Sequence, residues 1–388
     1  MTAETQRPAR IAAIDILRGI VMVLMALDHT RDFFSSARYS PTDIEQTNAF
    51  MFFTRWITHY CAPVFIFLSG TSAFLSLQRG KTRGQASLFL LKRGIWLILL
   101  ELTLVRFGWL FNLDYTMIFV QVIWAIGWSM VFLSALLYLP LRWLAVLSLA
   151  IIAGHNLLDG IRAAQFGDNA LWWNLLHEQD GGKIGNVRFF VAYPLVPWIA
   201  VMALGYCCGS IMRLEAPQRH RLLTRMGIGC IAAFVVLRLL NLYGDPTPWQ
   251  EQDTLTKTIL SFLNVEKYPP SLLYLLMTLG PALVALPLLE RVKAAAIARF
   301  FTVFGKVPMF YYLIHIYTIH GLALLLGLAM GFPLSQFTNG FFGGESDWGF
   351  GLGGVYLAWA VVIALLYLPC RWFMQVKARR KDWWLGYL

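Results

Sequence analysis

The sequence IAAIDILRGIVMVLMALDHTRDFF, residues 11–34, decides how this chain is interpreted. It is long enough to cross a bilayer as one helix, because about 20 mostly apolar residues suffice. It nevertheless carries Asp15, Arg18, Asp28 and His29. A charge near the centre of a bilayer costs at least about 2.5 kcal/mol, so residues of this kind within a span are candidates for function.

The spacing of Arg18 and His29 predicts a polar stripe along this helix. Eleven steps of about 100° return a helix to within about 20° of the same face, and Asp15 lies one turn before Arg18. At about 1.5 Å per residue, Arg18 and His29 are about 16 Å apart along the axis, half the thickness of a bilayer core. The stripe indicates either a functional path into the membrane or polar groups that only pair with neighbouring helices.

The composition of the whole chain is that of a polytopic membrane protein. Its 388 residues are 58% hydrophobic and 14% charged, and the mean hydropathy is +0.60, whereas soluble domains carry about 25% charged residues. The apolar runs predict an all-α bundle of about ten transmembrane helices that forms one integral-membrane domain over residues 1–388. The predicted spans are roughly 11–33, 50–77, 87–107, 117–139, 141–158, 190–212, 222–243, 268–289, 307–330 and 353–374.

The distribution of basic residues predicts the orientation of the bundle. Of the 32 Lys and Arg residues, 21 fall on the side that holds both chain ends and seven on the opposite side. This bias predicts a cytoplasmic N-terminus (1–10), a cytoplasmic basic tail (375–388) and a multi-pass protein of the cell (inner) membrane, in contact with its lipids. The formal net charge of +11 is thereby explained by topology, so no nucleic-acid partner is expected.

With this topology, candidate catalytic side chains cluster in the outer half of the membrane. The candidates are Asp28, His29, Arg55, His59, Glu101, Gln121 and His315. No HExxH or other close ligand spacing is present, and the five cysteines are scattered through apolar runs, so no metal is expected. A histidine general base is the simplest chemistry for this set, although a proton-coupled transporter or exporter of small solutes would use the same residues as a relay.

Several stretches resemble a known family. The string RIAAIDILRGIVMVLMALDH, residues 10–29, resembles the opening of bacterial membrane proteins related to the heparan-alpha-glucosaminide N-acetyltransferase catalytic domain. The wider transmembrane acyltransferase superfamily includes the type-3 acyltransferases, whose mark on the first helix is Arg, ten residues and then His, and Arg18 and His29 fit it. Further stretches that look like the same bacterial family are residues 58–75, 193–206, 267–281 and 304–320, so the resemblance covers most of the chain.

The resemblance implies an enzyme that moves an acetyl or other acyl group from cytoplasmic acyl-CoA to a sugar hydroxyl or amino group at the outer face. It also implies a possible homodimer. The implied catalytic residues are Arg18, Asp28, His29, His59 and His315. The candidates for binding acetyl-CoA are Arg18, Arg93, Lys306 and Tyr311, and those for binding the acceptor are Arg55, Glu101, Gln121 and Trp198.

One departure from the family pattern affects which histidine is predicted to act as the general base. The animal lysosomal enzyme has Asn where His29 stands and carries its active His in the loop that follows. Residues 33–49 here contain no His, so the role falls to His29, His59 or His315.

Overall fold

The computed structural model of the chain describes residues 12–77, 80, 82–292, 295–339, 347–380 and 382–387. The predicted cytoplasmic N-terminus (1–10) lies outside the described residues, as do Lys381 and Leu388 of the predicted tail. Of the residues described, 74% are helical. Its α-helices in the described ranges are α1 (Ala12–Phe34), α2 (Ala49–Trp56), α3 (Cys61–Leu77), α4 (Arg83–Leu100), α5 (Arg106–Leu110), α6 (Val122–Leu136), α7 (Leu141–Gly154), α8 (Ala170–Leu176), α9 (Leu195–Cys208), α10 (Ala216–Leu240), α11 (Leu255–Leu263), α12 (Leu272–Glu290), α13 (Ala295–Lys306), α14 (Pro308–Ala329), α15 (Ser335–Thr338) and α16 (Leu352–Arg379).

Helices occupy all ten segments that the apolar runs predict as spans. Within the described ranges, the helices that are long and apolar enough to cross a membrane number seven: Ala49–Leu77, Leu141–Leu158, Leu195–Arg213, Ala216–Leu240, Leu272–Glu290, Pro308–Ala329 and Leu352–Arg379. The α6 helix is apolar but has only 15 residues. The structure therefore agrees with a polytopic helical membrane protein, while a total of ten spans and cytoplasmic termini stay predictions.

A small sheet interrupts the all-α pattern. It consists of β1 (Met117–Val120), β2 (Gly181–Ile184) and β3 (Val187–Val191) in the order β1-β3-β2. Strand β3 pairs in parallel with β1 and antiparallel with β2, and Gly185, with φ +58°, begins the tight turn between β2 and β3. The apolar runs did not predict these strands, because four- and five-residue strands within loops carry too little periodicity to detect.

The α1 helix is the centre of the bundle and packs against α3, α12, α13, α14 and α16. Its contact with α13, a helix that the sequence did not predict, depends on two glycines. A Cβ atom on Gly19 would lie 1.9 Å from the carbonyl oxygen of Phe301, and one on Gly305 would lie 1.8 Å from that of Asp15. Only glycine permits this approach of the two backbones, and it places the Arg18 side chain against the end of α13.

Two of the predicted spans contain a local change of helix type. The 3-10 segment Ile57–Tyr60 joins α2 to α3, and the π-helical segment Glu101–Val105 joins α4 to α5. Both kinds of interruption are common at functional sites, since they turn side chains away from the regular helical faces. Here they carry His59 and Glu101, two of the residues selected from the sequence.

Candidate active site

The centre of the candidate site is a contact between two histidines. His29 Nδ1 of α1 is 2.7 Å from His315 Nε2 of α14, and the two rings are stacked with centroids 5.0 Å apart. Trp109 of α5 stands edge-on to His29 at 4.9 Å between centroids, and the Tyr311 ring lies parallel to His315 at 5.3 Å. His315 is fully buried, whereas His29 is half-buried. His29 is therefore the member of the pair that a substrate can reach.

The hydrogen bonds of His315 determine the protonation pattern of the neutral pair. His315 Nδ1 lies 2.5 Å from the carbonyl oxygen of Tyr312 and 3.2 Å from that of Tyr311. A carbonyl oxygen only accepts, so neutral His315 carries its proton on Nδ1 and a lone pair on Nε2. His29 Nδ1–H donates to that lone pair, which leaves a lone pair on His29 Nε2. None of the described residues is hydrogen-bonded to His29 Nε2, so the atom is free to accept a proton from a substrate.

Asp28 belongs to a network of ion pairs beside His29 rather than to a hydrogen bond with it. One carboxylate oxygen of Asp28 is 2.7 Å from Arg31 Nη1, and the other accepts a hydrogen bond from Arg55. Arg31 also pairs with Asp32 at 2.7 Å. The side chains of Asp28 and Arg31 are about nine-tenths buried, so this network fixes the junction of α1 and α2.

His59 lies in the 3-10 segment and is not joined to the histidine pair by a described hydrogen bond. It is 3% exposed, and its backbone oxygen accepts a hydrogen bond of 2.7 Å from the Tyr274 hydroxyl. Its Nδ1 is buried and has no hydrogen-bond partner in the described structure. His59 thus stands apart from the pair that His29 forms with His315.

At the other end of the polar stripe, Arg18 joins three elements. Its Nη2 donates to Ser72 Oγ of α3 at 2.8 Å, and its Nη1 donates to the backbone oxygen of Gly305 at 3.1 Å. Nη1 is also 3.4 Å from Asp15 Oδ1. The Arg18 side chain is 13% exposed, so it is largely enclosed by these elements.

The other predicted donor-binding residues lie around Arg18 or between it and the histidines. Arg93 of α4 is in electrostatic range of Arg18 and donates to the backbone oxygen of Gly386 at 2.8 Å. Lys306 is the last residue of α13. The Tyr311 hydroxyl is fully buried and has no hydrogen-bond partner in the described ranges. Burial of an unsatisfied hydroxyl is costly, which makes Tyr311 a group that a ligand would satisfy.

Three of the predicted acceptor-binding residues, Glu101, Gln121 and Trp198, make contacts with other parts of the protein. Glu101 is 1% exposed, and its carboxylate accepts the backbone N–H groups of Gln121 at 3.1 Å and Trp124 at 3.2 Å. Gln121 is the N-cap residue of α6, so the Glu101 carboxylate caps that helix and opposes its positive N-terminal dipole. Trp198 is 0% exposed and lies against Tyr193, with ring centroids 5.6 Å apart.

We expect Glu101→Gln to lower the free energy of unfolding by about 1–3 kcal/mol, because the amide group keeps one acceptor oxygen and leaves one buried N–H unsatisfied. Thermal unfolding of the purified protein in detergent measures this loss, with Glu251→Gln at an exposed position as the control. A rise in the KM of the acceptor at unchanged thermal stability would instead show that Glu101 binds substrate.

Lys267 is not among the site residues predicted from the sequence. It is 7% exposed, and its ammonium lies 4.9 Å from the centroid of the Tyr268 ring. The sequence feature that could have pointed to Lys267 is the stretch KYPPS, in which this lysine directly precedes the start of a predicted span.

Comparison with known proteins supplies the remaining finding. The family model described as "Heparan-alpha-glucosaminide N-acetyltransferase, catalytic" matches residues 10–242, which include α1 and His29. No curated protein matches the chain. Across the described residues, no group of three or more His, Cys, Asp or Glu side chains could hold a metal ion. The match does not support the transporter alternative.

Proposed function

Because this chain belongs to the heparan-alpha-glucosaminide N-acetyltransferase catalytic family, we propose that it transfers an acetyl group from acetyl-CoA to an amino or hydroxyl group of a sugar. The donor enters from the cytoplasm at the Arg18 end of α1, and the acceptor reaches His29 from the outer face of the cell membrane. Family membership implies a membrane acetyltransferase. The contact of His29 with His315 supports general-base catalysis of the transfer.

The observation that carries the proposal is the half-buried His29 held by His315. A base that is oriented through one ring nitrogen and open at the other is the arrangement that acyl transfer needs. His315 fixes the tautomer of His29, as the partner of a base does in other acyl-transfer sites. An Asp would do this with a negative charge, whereas His315 does it with a neutral lone pair.

The reaction follows from the free Nε2 of His29. The acceptor nitrogen or oxygen attacks the thioester carbonyl carbon while its proton passes to His29 Nε2. The carbon–sulfur bond breaks, and the same proton goes from His29 to the departing thiolate, so no net proton is gained or lost. His315 accepts the hydrogen bond from His29 Nδ1–H throughout and stabilises the transient positive charge. The buried Tyr311 hydroxyl has no protein partner in the described structure and can donate a hydrogen bond to the bound acetyl-CoA.

The donor would extend along the polar stripe. Arg18 and His29 are about 16 Å apart along the axis of α1, a distance suited to an extended pantetheine arm. Arg18 and Arg93 offer guanidinium groups to the phosphates of CoA at the far end. Lys306 adds a further positive charge on the adjacent end of α13.

Acetyl transfer by the purified protein is the direct test. The protein in detergent is mixed with acetyl-CoA and glucosamine, and the release of CoA thiol and the formation of the acetylated sugar are both measured. We expect equal amounts of the two products. Absence of acetyl-CoA binding and of transfer to any amino sugar would contradict the proposal.

We expect Arg18→Ala to raise the Kd of acetyl-CoA about 10- to 100-fold, the loss expected when a hydrogen bond to a charged group is removed. Calorimetry on the detergent-purified protein measures it. Ser72→Ala removes a protein contact of Arg18 but keeps the guanidinium, so its Kd should be close to that of the wild type. Arg371→Ala, at an exposed position of α16, is the charge control. An Arg18→Ala protein with wild-type Kd would exclude Arg18 from the donor site.

A further inference from the structure

Tyr312 of α14 borders the histidine pair. Its backbone oxygen accepts the hydrogen bond of 2.5 Å from His315 Nδ1, and its ring centroid lies 5.3 Å from that of His315. Its hydroxyl lies beside the indole of Trp109, whose ring stands edge-on to His29 at 4.9 Å between centroids. Tyr312 is therefore next to both members of the pair, to His315 directly and to His29 through Trp109.

The hydrogen of the Tyr312 hydroxyl has no acceptor in the described part of the chain. The residue is 4% exposed, and its hydroxyl oxygen is buried. An indole N–H only donates, so Trp109 can bind the oxygen of this hydroxyl but cannot take its hydrogen. Glu101 is the carboxylate whose charge acts on Tyr312, but its oxygens accept N–H groups at the start of α6, and no hydrogen bond joins it to Tyr312 in the described ranges.

The three tyrosines of α14 differ in how their hydroxyls are satisfied. The hydroxyl of Tyr317 donates to the backbone oxygen of Leu104 at 2.7 Å. The hydroxyls of Tyr311 and Tyr312 have no partner among the described residues, and theirs are the two rings that flank His315. Leaving a buried polar group without a partner is costly, so an exception of this kind indicates a catalytic role, a ligand or a water. The position of these two hydroxyls beside the base favours a ligand.

We propose that the Tyr312 hydroxyl donates a hydrogen bond to the carbonyl oxygen of the acetyl thioester. The proposal rests on the proposed function and adds the group that stabilises the charge formed in that reaction. When the acceptor attacks the carbonyl carbon, an electron pair of the C=O bond moves to the oxygen, and the hydrogen bond from Tyr312 becomes charge-assisted and stronger. Tyr312 keeps its proton throughout. When the carbon–sulfur bond breaks, the electron pair returns and forms the carbonyl group of the product.

Tyr312 has this role rather than Tyr311 because of Trp109. The same indole lies beside the Tyr312 hydroxyl and against the ring of His29, the half-buried member of the pair. The base that takes the acceptor's proton and the donor that binds the carbonyl oxygen are thus held by one side chain. An oxygen that gains charge as His29 takes the proton needs a donor of this kind close to the base.

Tyr312→Phe removes the hydroxyl and keeps the ring against His315. We expect kcat for acetyl transfer to glucosamine to fall about 10²–10³-fold, the loss expected when one donor to an oxyanion is removed. The temperature of thermal unfolding should stay the same or rise, because the hydroxyl has no acceptor in the described structure to lose. Tyr317→Phe on the same helix is the matched control: it removes the bond to Leu104, so it should unfold at a lower temperature and keep kcat within about threefold.

Binding of two donor analogues supplies a readout that a purely structural role would not change. S-ethyl-CoA carries a methylene group where acetyl-CoA has its carbonyl group, so it cannot accept the bond from Tyr312. Calorimetry should show that the wild type binds acetyl-CoA about three- to tenfold more tightly than S-ethyl-CoA, the value of one neutral hydrogen bond, and that Tyr312→Phe binds the two equally. Equal binding by the wild type would overturn the proposal, as would a Tyr312→Phe protein that keeps the preference or the wild-type kcat.

Failure of this proposal can be told apart from failure of the proposed function. The comparison of analogues requires no turnover, so a preference that Tyr312→Phe removes would support the hydrogen bond even in a protein that transfers no acetyl group to glucosamine. Transfer at the wild-type rate by Tyr312→Phe would support the proposed function and refute the role of Tyr312. If the wild type bound neither analogue, both proposals would fail.

Discussion

Replacement of His29 by glutamine is expected to lower kcat for acetyl transfer by about 10³-fold, within the range that a general base contributes. Glutamine keeps a hydrogen-bond donor that can face His315 but has no basic nitrogen to take the acceptor's proton. The Kd of acetyl-CoA should not change, because His29 lies at the acceptor end of the stripe. Steady-state kinetics and calorimetry on the same preparation separate the two quantities.

His315→Gln tests the orientation of the base separately from its chemistry. We expect a smaller loss of about 10²-fold, the effect of misplacing a catalytic group by about 1 Å, because His29 keeps its basic nitrogen but loses its fixed acceptor. His220, which pairs with Glu290 at 2.7 Å on α10 and α12, provides the histidine control. Full activity of the His29→Gln protein would eliminate His29 as the base and leave His59 and His315 as the remaining candidates.

Gly305→Ala is expected to cost about 3 kcal/mol of stability or more, at the upper end of what overpacking a core costs. The new methyl group would lie 1.8 Å from the carbonyl oxygen of Asp15, so α13 must move away from α1. The bond from Arg18 to the Gly305 carbonyl would then lengthen, and the Kd of acetyl-CoA should rise together with the loss of stability.

Thermal unfolding in detergent measures the effect, and Gly321→Ala is the control for the substitution itself. A Cβ atom at Gly321 of α14 meets nothing within 4 Å, so alanine there should be neutral or stabilise by up to about 1 kcal/mol through its better helix propensity. If the two variants unfolded at the same temperature, the close contact of α1 with α13 would not contribute to stability.

The long apolar helices were predictable from the sequence, whereas the partners of the functional residues were not. Apolar runs about 20 residues long indicate spans directly, and the repeat of the helix places Arg18 and His29 on one face. The helical repeat does not indicate which other helix packs against that face of α1. His29 and His315 are 286 residues apart, and their contact depends on how the helices of the bundle pack.

The α13 helix and the hydrogen-bond partners of Glu101 were also not predictable from the sequence. The α13 helix has only 12 residues, too short to stand out as a span, yet its backbone approaches that of α1 so closely that only glycine fits at Gly19 and Gly305. Glu101 is predicted to bind the acceptor because a carboxylate in a span is costly and therefore a candidate for function. Its two backbone hydrogen bonds to the start of α6 account for that cost in another way.

The position of α1 has a consequence for biogenesis. His315 is synthesised 286 residues after His29 of α1, roughly 15–60 s later at ordinary translation rates. During that interval the polar side chains of α1 have only early partners, among them Ser72 for Arg18 and Arg55 for Asp28. His29 therefore acquires the residue that orients it only after α14 has been made, long after Arg18 and Asp28 can meet Ser72 and Arg55.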